Sequence, residues 1–171
     1  MKLYLLWEIN MQESNIIIAP SILSSDFSQL SIEISALEIA GANMLHLDIM
    51  DGHYVPNLTF GYVIIETIAR ITKLPLDAHL MVTNPQDYID KLAKLGVTYF
   101  SFHPETVFHP HRVIQSVKDS GMKAGIALNP GIPVNSIDEA IQQKDHFRKP
   151  LFVIARKQGK FWKVREKVFL R

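Results

Sequence analysis

The segment Leu45-His-Leu-Asp-Ile-Met-Asp-Gly-His-Tyr-Val-Pro-Asn57 indicates how the chain folds, because a short strand pattern runs directly into turn-forming residues. Successive side chains of a strand point to opposite faces, so every second residue shares a face. One face holds His46, Asp48 and Met50, and the other holds Leu45, Leu47 and Ile49. The apolar face suits a layer of helices, whereas the polar face carries groups that are costly to bury unless they are paired or bind a metal.

The same kind of strand pattern recurs along the chain and alternates with amphipathic helical patterns. We predict strands at residues 16–19, 44–50, 74–81, 97–102 and 123–128, and one at 151–155. We predict helices at 27–40, 85–95 and 110–120 from capping and breaking residues, which are Asp26, Gly41, Asn84, Pro85, Gly96 and Gly121. This alternation indicates βαβ crossovers and a parallel sheet, either doubly wound or closed as a barrel.

The length of the chain limits how much of a barrel it can form. A complete eight-unit barrel needs about 250 residues, and about 200 at the least, whereas this chain has 171. Residues 1–143 carry 8 basic and 15 acidic side chains, and residues 144–171 carry 10 and 2. We therefore expect an α/β chain with an N-terminal extension at 1–14, a partial barrel of about five βα units at 15–142, and an atypical basic tail at 143–171.

A second strand, Leu76-Asp-Ala-His-Leu-Met-Val82, repeats the alternation of the first. Its polar face holds Asp77, His79 and Met81. If the two strands are neighbours, His46, Asp48 and His79 together offer two nitrogens and one oxygen, a set that zinc, iron, manganese or cobalt accepts. The alternative is that both histidines are hydrogen-bonded core residues, and the pattern alone leaves both interpretations open.

Four further side chains near these strands also have more than one interpretation. Ser21 follows the first predicted strand, where parallel barrels place their active sites, or it serves as a turn hydroxyl. Met50 and Met81 are typical of core filler. Asp77 fits a solvated position at the start of its strand at least as well as a role in the site.

A run of histidines follows the fourth predicted strand in the segment Ser101-Phe-His-Pro-Glu-Thr-Val-Phe-His-Pro-His111. Its members are His103, His109 and His111. Two prolines break any regular spacing, so the run favours a loop that lines the mouth of the site over a second metal site. The Asn129-Pro-Gly131 segment is a turn signal.

Composition excludes several classes of function. The chain has no cysteine, so it has no disulfide, thiolate zinc site or cysteine nucleophile, and a reducing, cytoplasmic location fits. No apolar run reaches the length of a membrane span. The basic tail, with Phe161 and Trp162, has a composition that could suit nucleic acid, but no nucleic-acid-binding motif accompanies it. We therefore expect neither a membrane nor a nucleic-acid partner.

Four stretches together resemble the ribulose-phosphate 3-epimerase family, isomerases of the pentose phosphate pathway and the Calvin cycle that are built on a (β/α)8, or TIM, barrel. They are Ile18-Ala-Pro-Ser-Ile-Leu-Ser-Ser-Asp-Phe27, His46-Leu-Asp-Ile-Met-Asp-Gly-His-Tyr-Val-Pro-Asn-Leu-Thr-Phe-Gly61, Leu76-Asp-Ala-His-Leu-Met-Val82 and Gly121-Met-Lys-Ala-Gly-Ile-Ala-Leu-Asn-Pro-Gly131. The second stretch is highly specific. The resemblance extends over about residues 15–141.

The resemblance implies a metal-dependent reaction on a small sugar phosphate. It implies one divalent ion (iron, zinc, manganese or cobalt) held by His46, Asp48 and His79, and substrate contacts from Ser21, His79, Met50 and Met81. Asp48 would accept the C3 proton as ribulose 5-phosphate becomes xylulose 5-phosphate. A second Asp, on the seventh strand, would return a proton to the opposite face, and the phosphate would bind backbone amides after strands six to eight.

After Ile141 the sequence departs from the family pattern. It contains no Asn-Pro-Gly-Phe-Gly-Gly segment, no Asp-Gly-Gly segment and no terminal Gly-Ser loop. The family's fourth metal ligand, second acid and phosphate site therefore have no counterpart in it. We expect either the family activity or, as the alternative, a catalytically inactive truncated remnant, for which the family's homo-oligomer is not assured.

Overall fold

Five parallel strands in sequential order form one sheet, in a computed structural model that describes residues 17–129, 131–133 and the backbone of 152–155. The strands are β1 (Leu45–Met50), β2 (Leu76–Met81), β3 (Val97–Phe102), β4 (Lys123–Leu128) and β5 (Phe152–Ala155). Neighbouring parallel strands must be joined by crossovers, which confirms the predicted alternation. β5 pairs in parallel with β4, so part of the segment predicted as a tail extends the sheet.

In the described part of the chain, four α-helices accompany the strands: α1 (Leu30–Ile39), α2 (Tyr62–Ile71), α3 (Ile89–Lys94) and α4 (Pro110–Asp119). Short 3₁₀ turns at Phe27–Gln29 and Pro85–Tyr88 precede α1 and α3, so the helices predicted at 27–40 and 85–95 each begin as a 3₁₀ turn. Within the described residues, no helix has both the length and the apolar character needed to cross a membrane.

The predicted helices begin and end at the expected capping and breaking residues, with one exception. Asp26 caps the turn before α1 by accepting a hydrogen bond from the Ser28 N–H at 2.9 Å. Asn84 does not cap the next turn, because its side-chain amide donates instead to Asp87 at 2.6 Å. The prediction of an Asn84 cap was therefore wrong. Gly41 follows α1 with a φ of 87°, a conformation that favours glycine.

The apolar faces of the strands and helices meet in one core. Its strand residues include Leu45, Leu47, Ile49, Ala78, Leu80, Phe100 and Phe102, and its helix residues include Ile34, Ile65, Ile68, Leu92 and Ile114. Phe27, the first residue of the helix predicted at 27–40, is 40% exposed because it lies in the turn ahead of α1 rather than in the helix. The core covers one side of the sheet and leaves the polar side chains on the other.

The first predicted strand, at 16–19, is not a regular strand at its described residues. The chain does run beside β1, where the carbonyls of Ile18 and Pro20 each accept a 2.9 Å hydrogen bond, from Asn43 and His46 respectively. Proline has no N–H, so Pro20 cannot supply a donor to a continuous ladder. A single parallel bridge joins Ser21 to His46. The strand prediction was therefore wrong, but Ser21 still lies beside the site.

Candidate metal centre

The polar face of the sheet brings the predicted ligands together through the strand register. Asp48 of β1 pairs with His79 of β2, and His46 pairs with Asp77. All four side chains are buried. Because each strand alternates, the four groups form two adjacent rows on the face opposite the helices. The predicted sharing of faces on β1 and β2 is therefore confirmed.

Three atoms on this face point at one small volume. His46 Nε2 and His79 Nδ1 each lie 3.4 Å from Asp48 Oδ1, and all three lie within 4.8 Å of one another. Two ligands bound at 2.0–2.1 Å in a tetrahedral zinc site are separated by about 3.4 Å. Asp48 Oδ1 and His79 Nδ1 are buried and make no hydrogen bond with the described residues. The residues therefore fit a single divalent cation.

The remaining polar atoms of the three side chains have partners of their own. Ser21 Oγ donates to Asp48 Oδ2 at 2.6 Å, and His46 Nδ1 lies 2.8 Å from Asp77 Oδ2. A histidine that binds a metal usually donates its other N–H to such a carboxylate, which fixes the ring and its tautomer. Asp77 is buried rather than solvated, because the register places it beside His46. Of the two interpretations left open for Asp77, burial excludes the solvated one.

The buried titratable groups of the site shift one another's pKa values. Burial raises the pKa of Asp48, but the adjacent His46 and His79 imidazoles and the hydrogen bond from Ser21 outweigh burial and hold the pKa well below its usual range. Burial lowers the pKa of His46, but Asp48 and Asp77 raise it to about 9. Burial lowers the pKa of His79. A cation that binds here would therefore meet a carboxylate and would displace the proton of His46.

Ser21 lies beside the candidate centre and also serves as a turn hydroxyl, and the positions of the two methionines fit either of their interpretations. The Ser21 hydroxyl contacts Asp48 and also accepts the Leu23 N–H at 3.3 Å, as a turn residue does. Met50 and Met81 are buried and pair with each other across β1 and β2. That position suits core filler and a wall of the site equally. The substrate contacts of Ser21, His79, Met50 and Met81 stay predictions.

His103 lies beside the candidate centre, in the loop after β3 that the sequence favoured as a lining of the site's mouth. Its Nε2 is 3.0 Å from His79 Nε2, and it is buried, whereas His109 and His111 are exposed at the start of α4. Ser101 pairs with His79 in the sheet, so a residue two positions further along β3 falls on the same face. Burial, together with the nearby His79, lowers the pKa of His103 to about 4. Alternation along β3 was the signal that could have found it.

A second polar cluster adjoins His103. Glu105 Oε1 lies 3.7 Å from His103 Nδ1 and accepts a 2.7 Å hydrogen bond from the Tyr54 hydroxyl. The Asn129 side-chain amide donates to both Tyr54 and Glu105. The turn predicted at Asn129 is confirmed by the Ile132 N–H bond to its carbonyl at 2.9 Å. The loops after three strands are thus joined beside the candidate centre.

Asp51 organises the loop that follows β1. Its Oδ1 accepts the N–H groups of His53 and Tyr54, both at 2.9 Å, and its Oδ2 accepts the N–H and hydroxyl of Thr83 at 2.8 and 2.9 Å. Burial raises the pKa of Asp51, but these hydrogen bonds, the Thr83 N–H first, hold it well below its usual range. The carboxylate therefore ties the loop after β1 to the loop after β2.

We expect Asp51→Asn to lower the free energy of unfolding by about 2 kcal/mol at pH 7, the scale of hydrogen bonds to a charged group. A depressed folded-state pKa gives stability that is present above the unfolded value, about 3.9, and lost as the pH falls below it. The difference between wild type and Asp51→Asn, measured by urea unfolding, should therefore shrink between pH 5 and pH 3. A difference that stays constant over this range would contradict the role of the Asp51 charge.

Comparison with known sequences identifies what the chain is similar to. A model of the ribulose-phosphate 3 epimerase family matches residues 17–148. The ribulose-phosphate 3-epimerase of Bacillus subtilis is 48% identical over 128 residues, which are 75% of this chain and 59% of the relative. The enzyme of Aquifex aeolicus is 44% identical over 130 residues, 76% of this chain and 59% of the relative. A cytoplasmic isoform from Oryza sativa is 47% identical over 129 residues, 75% and 57%.

Comparison with solved structures supports the fold. A mutant tryptophan synthase α-subunit from Pyrococcus furiosus superposes with a TM-score of 0.59 at 14% identity, over 81% of this chain and 65% of that one. At this identity the likeness concerns the fold alone, which is of the (β/α)8-barrel type. The chain spans 57% to 59% of the length of the three curated relatives above.

Proposed function

The chain belongs to the ribulose-phosphate 3-epimerase family, and we propose that it acts in the family's reaction, the C3 epimerisation of ribulose 5-phosphate to xylulose 5-phosphate, with a divalent metal at His46, Asp48 and His79. The convergence of three ligand atoms on one point carries the proposal. Each of the three side chains also contacts a separate partner through its other polar atom. The 3.4 Å separations of His46 Nε2 and His79 Nδ1 from Asp48 Oδ1 are longer than usual hydrogen bonds and match the spacing of two ligands on one ion.

A divalent cation would supply Lewis-acid polarisation of the ketose oxygens. The chain's own residues would handle the proton. Asp48 is held as a carboxylate, the form that can accept a proton from C3. Its Oδ1 faces the two imidazoles, so Oδ2, positioned by the Ser21 hydroxyl at 2.6 Å, is the oxygen available as proton acceptor. Met50 and Met81 would wall this point with apolar surface and limit the access of water.

The full reaction also requires a proton donor on the opposite face of C3 and a phosphate site. The resemblance assigns both to the seventh and later strands of the family, whereas the described residues supply five strands. Activity of the whole enzyme, its place in the pentose phosphate pathway, a cytoplasmic location and a homo-oligomeric assembly are accordingly proposals for this chain. Proton removal at C3 is the part that the described residues support.

The test follows the C3 proton of ribulose 5-phosphate by ¹H NMR in D₂O. Protein stripped with chelator and then reloaded with Co²⁺ is expected to replace the C3 proton with deuterium, and the same spectra report any xylulose 5-phosphate. Exchange without net epimerisation would support proton removal by Asp48. It would also favour the alternative that the chain is a remnant inactive in the full reaction. No exchange by protein that demonstrably holds Co²⁺ would contradict the proposal.

Asp77 is expected to strengthen metal binding through His46. Asp77→Ala removes the carboxylate 2.8 Å from His46 Nδ1, so the ring loses the partner that fixes its tautomer. Removal of such an outer partner typically weakens metal affinity about 10- to 100-fold. Asp77→Asn keeps an oxygen that can accept the N–H and should lose less. Isothermal titration with Zn²⁺ measures both, and equal affinities for wild type and Asp77→Ala would contradict this role.

A further inference from the structure

His103 is a buried histidine whose place beside the centre is not explained by the proposed ligands. It follows β3, and its ring centroid lies 5.1 Å from that of His79 and 4.8 Å from that of Tyr54. Its Nε2 faces His79 Nε2 at 3.0 Å. Two imidazole nitrogens at this distance share one proton, so one ring donates and the other accepts.

We propose that His103 is a positioning residue that accepts the Nε2 proton of His79 and so keeps the Nδ1 lone pair of His79 directed at the metal site. This inference rests on the proposed metal site at His46, Asp48 and His79. Each of the two histidine ligands then has a partner for the ring nitrogen that does not face the metal site. The partner of His46 is Asp77, and the partner of His79 is His103.

The assignment follows from the position of each proton. A neutral imidazole carries one N–H, and the nitrogen that binds a cation must be the one without it. His79 Nδ1 is the atom that faces Asp48 Oδ1 at 3.4 Å, so binding through Nδ1 requires the proton on Nε2. A buried N–H needs an acceptor, and the atom in line with it is His103 Nε2.

The environment of His103 favours this role. To accept at Nε2, His103 must carry its own proton on Nδ1, which makes no hydrogen bond with the described residues but lies 3.7 Å from the Glu105 carboxylate. Glu105 is fixed by the Tyr54 hydroxyl at 2.7 Å. A proton on His103 Nδ1 would therefore lie near a negative charge, at a distance longer than a hydrogen bond, whereas the opposite tautomer would place a lone pair there. The contacts therefore run from His79 to His103 and on to Glu105, which accepts a hydrogen bond from Tyr54 in the loop after β1.

The opposite arrangement is the competing possibility. His103 would then donate from Nε2 to His79, and His79 would direct an Nδ1–H at Asp48. In that state His79 Nδ1 has no lone pair for a metal. The two arrangements differ in the tautomer of both rings, so the position of the protons decides between them.

The first experiment reads the tautomers directly. In ¹⁵N-labelled wild-type protein loaded with Zn²⁺, long-range ¹H–¹⁵N ring couplings should show His79 with its proton on Nε2 and His103 with its proton on Nδ1. A His79 that carries its proton on Nδ1, or a His103 that carries it on Nε2, in the zinc-loaded protein would overturn the inference. This measurement needs no variant and no catalytic activity.

The second experiment measures Co²⁺ affinity by titration of its visible absorption. His103→Phe keeps a ring but has no acceptor, and it should weaken binding about 10- to 100-fold. His103→Gln, whose carbonyl can accept the His79 N–H, should retain most of the affinity. Glu105→Gln should cause a smaller loss. The matched control is His111→Phe, at an exposed position of α4, which should bind as the wild type does.

The outcomes separate this inference from the proposed function. If wild type binds no Co²⁺, the metal site fails and this inference fails with it. If wild type binds Co²⁺ and His103→Phe, folded by circular dichroism, binds equally well, only the inference is overturned. If His103→Phe does not fold, the tautomers of the wild type and the Glu105→Gln titration still decide it. A loss in His103→Phe that His103→Gln does not restore would also count against an acceptor role.

Discussion

Asp48→Asn is expected to abolish the exchange of the C3 proton of ribulose 5-phosphate, with a rate loss of about 10²- to 10⁴-fold or more. A general base contributes rate factors of that size, and the neutral amide can neither accept the proton nor offer an anionic ligand. The substitution is nearly isosteric, so the Ser21 contact at 2.6 Å can persist. The measurement is the ¹H NMR exchange assay in D₂O with saturating Co²⁺.

The control for Asp48→Asn is the same substitution at an exposed aspartate. Asp90 lies in the first turn of α3 and is exposed, so Asp90→Asn should exchange the C3 proton at the wild-type rate. Circular dichroism and Co²⁺ content distinguish a lost base from a lost fold or a lost metal. Exchange by Asp48→Asn at the wild-type rate would remove Asp48 from the reaction.

Phe100→Ala is expected to lower the free energy of unfolding by about 3–5 kcal/mol, the cost of truncating a buried phenylalanine. Phe100 is fully buried on β3 and pairs with Ala78 of β2, so the surrounding sheet cannot easily close the cavity. Urea unfolding followed by circular dichroism measures the effect. Since domains typically have only 5–15 kcal/mol of stability, this single change should remove a large part of it.

Phe108→Ala provides the matched comparison, because Phe108 is fully exposed among the described residues. Surface substitutions usually change stability by less than about 0.5 kcal/mol. Similar effects for Phe100→Ala and Phe108→Ala would mean that the helices do not pack on this face of the sheet as described.

Alternation along single strands made much of the site predictable. The period of two placed His46 with Asp48 and predicted that His79 would share their face, and register then brought all three together. The same rule applied to β3 would have found His103, but the prolines after it favoured a loop. Local pattern therefore predicted the shared face of His46, Asp48 and His79, which all lie inside strands.

Contacts between elements were harder to predict, because they depend on register and on backbone donors rather than on local pattern. Asp77 looked solvated at a strand start, and only the pairing with His46 shows why it is buried. The segment before Ser21 has a strand-like sequence, but Pro20 has no backbone N–H and so breaks the series of hydrogen-bond donors that a strand needs. The helix α2 (Tyr62–Ile71) was not predicted, although its buried Ile65 and Ile68 lie at helical spacing.

The most direct test of the account is the stoichiometry of Co²⁺ binding to the metal-free chain. We expect one Co²⁺ per chain, with visible absorption typical of nitrogen and oxygen ligands in low coordination number, and loss of that site in His79→Ala. His111→Ala, at an exposed position, should retain it. Binding of one Co²⁺ with the same spectrum by His79→Ala, or no binding by the wild type, would contradict a metal centre built from His46, Asp48 and His79.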